Sequence, residues 1–350
     1  MQPCDWRLWQ NYIIFANQNI EKMSNKEKTN ILMNELGKEQ RPFFFMIDFK
    51  QHNNLVLPLD EIDSAEIQFE MEHYSVKKTQ SPDFSEEVSI SHDGYSKYAY
   101  ATQFNQVVSE IKKGNSFLVN LTCETPIHLN CDLRQIFQKA EAKYKLLYKD
   151  QFVVFSPETF LRIEKGVISS FPMKGTIDAT LPNACETIMN NPKEKAEHCT
   201  IVDLIRNDLS MVAENVQVVR FRYVDELTTD SGKLLQVSSE ISGTLPKNYN
   251  AEIGDILFKL LPAGSITGAP KNKTVEIILN AETYDRGFYT GAFGVFDGQS
   301  LDSAVMIRFI EKTAQGLVYK SGGGITAFSN LDDEYDEMLK KIYVPFSRKH

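Results

Sequence analysis

An acid and a base that could act together in catalysis occur in the segment SPETFLRIEKGVISSFPMKGT. Its alternating pattern predicts a β-hairpin with strands at 158–164 and 167–172, joined by a turn at residues 165–166. Counting outward from that turn places Glu158 opposite Met173, so Glu158 and Lys174 would be neighbours at the open end of the hairpin. The carboxyl group could act there as a general acid and the amine as a nucleophile.

Strict alternation along the two strands nevertheless puts Glu158 and Lys174 on opposite faces of the hairpin. Pro172 and Gly175 flank Lys174 and favour an irregular backbone, so the sequence alone leaves the orientation of Lys174 undecided. From the spacing alone, a turn glutamate and an exposed surface lysine are the more common explanation.

A second acidic feature lies in EKAEHCTIVDLIRNDLS, which predicts a helix from about residue 192 to residue 213. One stripe of this helix carries three apolar residues and two acids, namely Glu197, Ile201, Leu204, Ile205 and Asp208. A carboxylate on an apolar face needs a compensating partner. A salt bridge, for example with Arg206, and a hard metal cation both stay open as that partner.

The third feature is the glycine run SGGGITAFS, followed by the helical segment DDEYDEMLKKIY. Glu334, Glu337 and Lys341 share one stripe of the predicted helix, beside an apolar stripe that would be buried. Gly322–Gly324 could present backbone N–H groups to an anion. The alternatives are a solvated helix flank and an ordinary glycine turn.

Three further motifs could contact a ligand. The loop LLPAGSITGAPK, at residues 260–271, could cradle a carboxylate or merely connect two elements. In YDRGFYTGAFGVFDG, Tyr289 and its neighbouring glycines predict a strand that a ligand or another backbone approaches closely. Arg308, at the end of the strand SAVMIRF, could be a bridging surface residue or a bidentate clamp for a carboxylate.

The elements that must position these residues alternate irregularly between strands and helices, which predicts an α+β or mixed α/β body rich in antiparallel sheet. There is no βαβ rhythm and no G-x-G-x-x-G motif, so a doubly wound nucleotide-binding fold is not indicated. Residues 1–95 carry no site-like cluster, whereas residues 96–350 carry every motif above. We therefore predict an N-terminal part that completes the sheets and a catalytic domain that follows it.

The composition narrows the function. With 350 residues and 42% apolar content, the chain can bury a large core. A net charge of −9 argues against nucleic acid as a partner. The five cysteines have no metal-ligand spacing, which indicates reduced thiols, and there is no leader or membrane-spanning segment. These features predict a cytoplasmic protein.

Eight motifs, in order, resemble the signature of the chorismate-utilising enzymes: SPETF, FPMKGT, AEHCTIVDLIRND, PAGSITGAPK, RGFYTGAFG, AVMIRF, SGGGIT and EYDEMLKK. The resemblance runs from about residue 97 to residue 345. This family includes anthranilate, aminodeoxychorismate, isochorismate and salicylate synthases. The resemblance implies a two-layered antiparallel β-sheet core wrapped by helices, with chorismate and Mg²⁺ bound between the sheets.

The same resemblance implies roles for individual residues. Glu197 and Glu337, with Glu334 beside them, match the magnesium ligands. The positions that match substrate-binding residues are Thr176, Tyr289, Arg308, Gly322, Gly323, Gly324 and Lys341.

Lys174 distinguishes the members of the family, because the PxKGT form resembles aminodeoxychorismate synthases whereas the sister enzymes typically carry alanine there. The implied reaction is amination of chorismate toward p-aminobenzoate and folate, with Lys174 as nucleophile and Glu158 as general acid. No cysteine lies in a G-x-C-x-G turn, so ammonia is expected from a separate glutaminase subunit. Isochorismate, salicylate or anthranilate synthesis and a non-catalytic chorismate-binding subunit are the alternatives.

Overall fold

A computed structural model describes residues 23–77, 88–229 and 232–345 of the chain. Eighteen strands lie in these residues. In chain order they are β1 (Phe43–Ile47), β2 (Leu55–Pro58), β3 (Ile67–Glu70), β4 (Ser75–Val76), β5 (Ile90–His92), β6 (Leu118–Leu129), β7 (Tyr144–Tyr148), β8 (Phe152–Ser156), β9 (Thr159–Glu164), β10 (Val167–Ser170), β11 (Met173–Asp178), β12 (Glu214–Thr229), β13 (Gly232–Thr244), β14 (Gly268–Ala269), β15 (Ala292–Phe296), β16 (Leu301–Val305), β17 (Phe309–Thr313) and β18 (Gly316–Ile325).

Eight α-helices lie in the same described residues. They are α1 (Asn25–Lys38), α2 (Lys97–Lys112), α3 (Leu133–Lys139), α4 (Ala184–Asn190), α5 (Pro192–Ser210), α6 (Ile253–Leu260), α7 (Lys271–Ala281) and α8 (Leu331–Lys340). None of these helices is both long and apolar enough to cross a lipid bilayer.

The strands form two nine-stranded sheets. The first has the order β11-β13-β10-β9-β16-β15-β1-β2, with β12 also paired to β13. The second has the order β14-β6-β18-β17-β8-β7-β3-β4, with β5 also paired to β6. Every strand pair described within them is antiparallel.

Strand β1 shows where the core lies, because all five of its residues are buried. Phe43 and Phe45 pack with Leu257 of α6 and Ile201 of α5, on the helix-covered face of the first sheet. Successive side chains of a strand point to opposite faces. Phe44 and Met46 therefore pack with residues of β3, β7 and β8, between the two sheets.

The second sheet is also covered by helices on its outer face. Residues of α2, α7 and α8 share one apolar cluster with β6 and β18. Residues of α3 share another with β8 and β17. The prediction of a two-layered antiparallel sheet core wrapped by helices is therefore confirmed.

The N-terminal part contributes strands to both sheets: β1 and β2 to the first, β3 and β4 to the second. The chain thus crosses between the sheets before residue 95. The division into a part at 1–95 and a catalytic domain at 96–350 stays a prediction.

Candidate active site

Most of the predicted site residues meet at the two glycines near the end of β18. The space in front of Gly323 is bounded by three charged groups, since a methyl group built there would lie 3.5–3.7 Å from Glu337 Oε1, Glu334 Oε2 and Lys341 Nζ. A methyl group at Gly324 would lie 3.6 Å from Lys174 Nζ and 3.7 Å from Glu197 Oε2. The two glycines leave room for a ligand where side chains would otherwise stand.

The three glycines lie in a β-strand, so the expectation of a glycine turn is wrong. Gly322, Gly323 and Gly324 pair with successive residues of β6. Opposite Gly322 and Gly324, the N–H groups of Thr122 and Asn120 bond away from β18, to Glu282 and Thr267 respectively. These two pairs are therefore the non-hydrogen-bonded pairs of the antiparallel ladder.

One consequence is that the N–H groups of Gly322 and Gly324 point away from β6. Strand β17 pairs with β18 only as far as Lys320, so it does not cover this edge. Lys341 Nζ already donates a 2.8 Å hydrogen bond to the Gly322 carbonyl there. Backbone N–H groups for an anion, which were predicted in a turn, are therefore available at the edge of a strand.

Helix α8 carries the acids that face these glycines. Glu334 is 1% exposed, so the alternative of a solvated helix flank is wrong for this residue. The Glu337 side chain is 48% exposed and lies 2.7 Å from Lys341 Nζ. The side chain of Asn330 accepts hydrogen bonds from two N–H groups of the first turn and so fixes the start of the helix.

Glu158 lies in the connection between β8 and β9 and is 8% exposed. Burial raises the pKa of Glu158 above its ordinary value. A hydrogen bond with Ser265 and the positive charges of three side chains act in the opposite direction, those of Lys174, Arg308 and Lys341. Glu158 is thus a buried acid whose pKa is raised by burial in spite of three positive charges nearby.

Arg308 and Lys341 form a cationic pair beside this acid. Arg308 Nη1 donates to the Lys341 carbonyl at 3.3 Å, and its guanidinium lies 4.7 Å from the centre of the Tyr343 ring. Within the part of the chain that the structure describes, the buried Nε of Arg308 has no hydrogen-bond partner. Burial lowers the pKa of the Lys341 amine, although Glu337 acts in the opposite direction.

Strand β11 brings Lys174 to the site by a route that the sequence did not predict. The hairpin itself is confirmed, with Val167 opposite Glu164. Beyond residue 170, however, the chain no longer pairs with β9, and β11 continues along the same edge of β13 as β10, so that Met173 lies opposite Ser238. The predicted pairing of Glu158 with Met173 is therefore wrong, because proline at 172 has no N–H with which to continue the ladder.

The stripe on α5 is confirmed, but its two acids have different partners. Asp208 forms a 2.7 Å ion pair with Lys271, and both side chains are nearly buried. Arg206 pairs instead with the exposed Asp203. The salt bridge that was considered for this stripe therefore exists, with a partner from the loop at 260–271 in place of Arg206. Glu197, half-buried, faces Gly324.

Two predicted substrate ligands lie at the margin of this arrangement. Tyr289 is buried, with its ring edge-on to Phe309 at 5.8 Å between centroids, and burial raises the pKa of its hydroxyl. Thr176 is exposed, and its hydroxyl donates to Gln236 Oε1 at 2.9 Å. Their roles in substrate binding stay predictions.

The acids around the glycines suit a hard cation by chemical type, since Glu197, Glu334 and Glu337 offer only carboxylate oxygens. Among the described residues, no group of three or more His, Cys, Asp or Glu side chains is close enough together to hold a metal ion. A cation bound in front of Gly323 would compete with Lys341 for the carboxylate of Glu337.

Sequence reasoning missed three residues that lie around the strand of Lys174. Glu194 Oε2 would lie 3.1 Å from a methyl group at Gly175, and the signal was available because Glu194 lies one helical turn before Glu197. His198 is buried, and its ring hydrogen-bonds to Ser239 on β13. Gln236 is a polar residue at a buried position of β13.

Comparison with known proteins supports the resemblance. Residues 25–347 match the sequence profile of the family described as "chorismate binding enzyme". An "Uncharacterized PabA-like protein" of Pasteurella multocida is 50% identical over 317 residues, which cover 89% of this chain and 96% of that protein. Aminodeoxychorismate synthase component 1 of Salmonella typhimurium is 32% identical over 259 residues, 69% of this chain and 56% of that protein.

The fold agrees with a solved structure of the same kind. MenF, the menaquinone-specific isochorismate synthase of Escherichia coli, superposes with a TM-score of 0.68 over 90% of this chain and 80% of that chain. The two sequences are 16% identical, so this likeness bears on the fold alone. The profile match over residues 25–347 leads to one conclusion: the chain belongs to the family of chorismate-binding enzymes.

Proposed function

We propose that the protein is component I of an aminodeoxychorismate synthase, which replaces the 4-hydroxyl of chorismate by an amino group. The observation that carries this proposal is the position of Lys174, whose Nζ reaches the open space at Gly324 beside Glu197. Glu158, a buried acid, lies within electrostatic range of the same amine. The similarity to the Salmonella enzyme of that name is in line with the proposal.

The charges of the site suit a substrate with two carboxylates. Arg308 and Lys341 offer two cations, and Arg308 Nε has no hydrogen-bond partner among the described residues. The N–H groups of Gly322 and Gly324, which point away from β6, add neutral donors at the same edge. In this proposal these groups hold the carboxylates of chorismate, with Tyr289 and Thr176 at the margin. An acidic protein thereby binds a dianion through a local cationic surface.

Magnesium belongs to the proposal as the resident cation. Glu197, Glu334 and Glu337 would hold it by moving closer together than they lie in this structure, since carboxylate oxygens are the ligands that Mg²⁺ prefers. When bound, the ion would neutralise the ring carboxylate of the substrate.

The proposed reaction uses two residues of the chain in sequence. The unprotonated amine of Lys174 forms a bond to ring carbon 2, both ring double bonds shift by one position, and the bond from carbon 4 to its hydroxyl oxygen breaks. Glu158 donates the proton with which that oxygen leaves as water. Ammonia then bonds to carbon 4, the shift reverses, and Lys174 is expelled as the free amine.

The ammonia comes, in this proposal, from glutamine hydrolysed by a separate glutaminase subunit in the cytoplasm. The purified chain should therefore aminate chorismate with ammonium but not with glutamine alone. Addition of a glutaminase component should make glutamine effective.

The test is to incubate the chain with chorismate, Mg²⁺ and ammonium, with and without aminodeoxychorismate lyase, and to separate the products by chromatography. Aminodeoxychorismate, converted by the lyase to p-aminobenzoate, is the expected product. Isochorismate, salicylate or anthranilate would overturn the assignment in favour of a sister enzyme. No turnover, with chorismate still bound, would favour a non-catalytic binding subunit.

The role of Lys174 has its own test. Lys174→Ala should reduce amination by about 1,000-fold or more, because covalent catalysis is lost, while Mg²⁺-dependent chorismate binding persists. Lys165→Ala is the matched control, since Lys165 lies in the β9–β10 turn. Turnover by Lys174→Ala at the wild-type rate would exclude Lys174 as the nucleophile.

A further inference from the structure

The strand that carries Lys174 is irregular at the lysine itself. The pairing register between β11 and β13 shifts between Met173 and Thr176, so that Lys174 and Gly175 together face one residue of β13. This is a β-bulge, which bends a strand and changes the direction of a side chain. Gly175 has a φ of +83°, a backbone conformation that suits glycine.

A single side chain from β13 bonds to Gly175 of this bulge and to Thr176, the residue that follows it. Gln236 Nε2 donates to the Gly175 carbonyl at 2.9 Å. Gln236 Oε1 accepts from the Thr176 hydroxyl, also at 2.9 Å. Gln236 is 9% exposed, so water competes little for its side-chain amide. Its amide thus makes one bond as a donor and one as an acceptor, both to the segment that follows Lys174.

Two helices close the other side of the bulge. A methyl group at Gly175 would lie 3.1 Å from Glu194 Oε2 and 3.4 Å from Ile188 Cδ1. The buried ring of His198 on α5 hydrogen-bonds to Ser239 on β13 at 2.6 Å. The bulge is therefore held between α4 and α5 on one side and Gln236 on the other.

The bulge has one structural alternative, which is regular pairing between β11 and β13. If β11 paired regularly with β13, the one-residue shift would turn Lys174 toward the opposite face. Such a change would leave both sheets paired but would withdraw the amine from Gly324 and Glu197. The energy that favours the bulge over regular pairing therefore also determines where the amine points.

We propose that Gln236 is a positioning residue, which clamps the Lys174–Gly175 bulge so that the amine of Lys174 faces Gly324 and Glu197. Gln236 acts through Lys174 and takes no part in the chemistry. This inference rests on the proposed role of Lys174 as the nucleophile.

The first test is Gln236→Leu, which keeps the size of the side chain and removes both hydrogen bonds. We expect kcat for amination to fall by about 10- to 100-fold, the range for a misplaced reacting group, with KM for chorismate and the Mg²⁺ titration within about threefold of wild type. A wild-type kcat, or a rise in KM as large as the fall in kcat, would overturn the proposal.

The second test, Thr176→Val, removes only one of the two bonds at an exposed residue and so carries little risk to folding. A positioning role predicts a fall in kcat of about 3- to 10-fold, with Thr176→Ser restoring it. In the Gln236→Leu background, Thr176→Val should have no further effect, because the bond that it removes is already absent. A rise in KM alone would instead assign Thr176 to substrate binding and contradict the clamp.

Gln103→Leu is the matched control, since Gln103 is a buried glutamine on α2 that bonds to Tyr95 and Thr283, away from β11. Its kcat should equal that of wild type. Lys174→Ala, measured in the same assay, separates the two proposals. If that variant is inactive and Gln236→Leu is fully active, only the clamp fails. If Lys174→Ala is fully active, the nucleophile assignment itself fails.

Discussion

At the scale of one residue, burial changes the pKa of Glu158, the proposed general acid. Its carboxyl group is 8% exposed, and burial raises its pKa in spite of three nearby cations. A general acid must hold its proton near the working pH. A substrate dianion that neutralises the cations would strengthen the same tendency, because the opposing charges would then no longer favour the carboxylate.

Glu158→Gln tests this burial effect through stability. Because the folded-state pKa of Glu158 is raised, its contribution to stability is full below the ordinary carboxyl pKa of about 4.3 and is lost as pH rises through the folded-state pKa. Gln resembles the protonated form, so the variant should have a higher Tm than wild type near neutral pH and an equal Tm near pH 4. Amination should fall sharply in the same variant.

The control for that prediction is Glu164→Gln, because Glu164 is an exposed residue at the end of β9, beside the β9–β10 turn. Thermal unfolding followed by circular dichroism over a range of pH would measure both variants. A Tm difference for Glu158→Gln that does not change with pH would show that burial of the charge is not its cause.

Glu337 allows a separate test of the metal. Glu337→Gln should weaken the apparent affinity for Mg²⁺ and lower the rate together, because an amide oxygen binds a hard cation less well than a carboxylate. The measurement is a Mg²⁺ titration of amination, with Glu276→Gln, an exposed glutamate paired with Lys273, as the control. An unchanged titration for Glu337→Gln would exclude it as a ligand.

Several of these residues could be predicted from sequence because their signals are local. The acids of α8 and of α5 lie at helical spacing, and the structure places both sets at the glycines of β18. Burial could not be predicted in the same way. Glu334 and Glu337 share a stripe, yet one is 1% exposed and the other has a side chain 48% exposed, because helix packing decides between them.

At the scale of elements, α5 is attached to the loop at 260–271 by one buried ion pair. Lys271 Nζ lies 2.7 Å from Asp208 Oδ2 and also donates to the Leu260 carbonyl at 2.8 Å. The same loop supplies Ser265 to Glu158. Movement of α5 relative to this loop would therefore disturb both Glu197 and Glu158.

Asp208→Ala should lower the free energy of unfolding by about 3 kcal/mol, because it leaves the buried amine of Lys271 without its counter-charge. Asp203→Ala on the same helix breaks only an exposed pair with Arg206 and should cost at most about 0.5 kcal/mol. Urea denaturation of both variants would measure the difference. Equal effects would contradict the importance of the buried pair.

The pairing of the strands also shows which part of the fold could not be predicted from the sequence. The β9–β10 hairpin was predictable because its turn and both its strands lie in one short segment. The place of β11 was not, because its partner β13 occurs more than 50 residues later in the chain. The same non-local pairing creates the bulge at Lys174, which is why the sequence left the orientation of that lysine undecided.

At the scale of the whole molecule, the N-terminal strands lie inside the sheets. Strand β1 lies between β2 and β15, and β3 lies between β4 and β7. Arg286 reinforces this connection, since its guanidinium lies 4.6 Å from the ring centre of Phe49 and donates to the Asn120 carbonyl. The predicted boundary near residue 95 thus separates residues that share both sheets.

We therefore expect a fragment of residues 96–350 to be unstable. Without β1, the apolar faces of β15 and β16 would be exposed and β15 would become an open edge, which promotes aggregation. Size-exclusion chromatography and near-UV circular dichroism, with the full chain as control, would measure this. A monomeric fragment with cooperative unfolding would show that the catalytic part folds by itself.

The position of β1 between β2 and β15 also has a consequence for how the protein is made. The ribosome releases Phe43–Ile47 early, but β15, which pairs with this strand along its whole length, is among the last strands to emerge. During most of synthesis, a run of five apolar residues that are fully buried in the finished protein has one of its two partners missing. We therefore expect the nascent chain to bind chaperones through this exposed segment, and the first sheet to form only after translation is nearly complete.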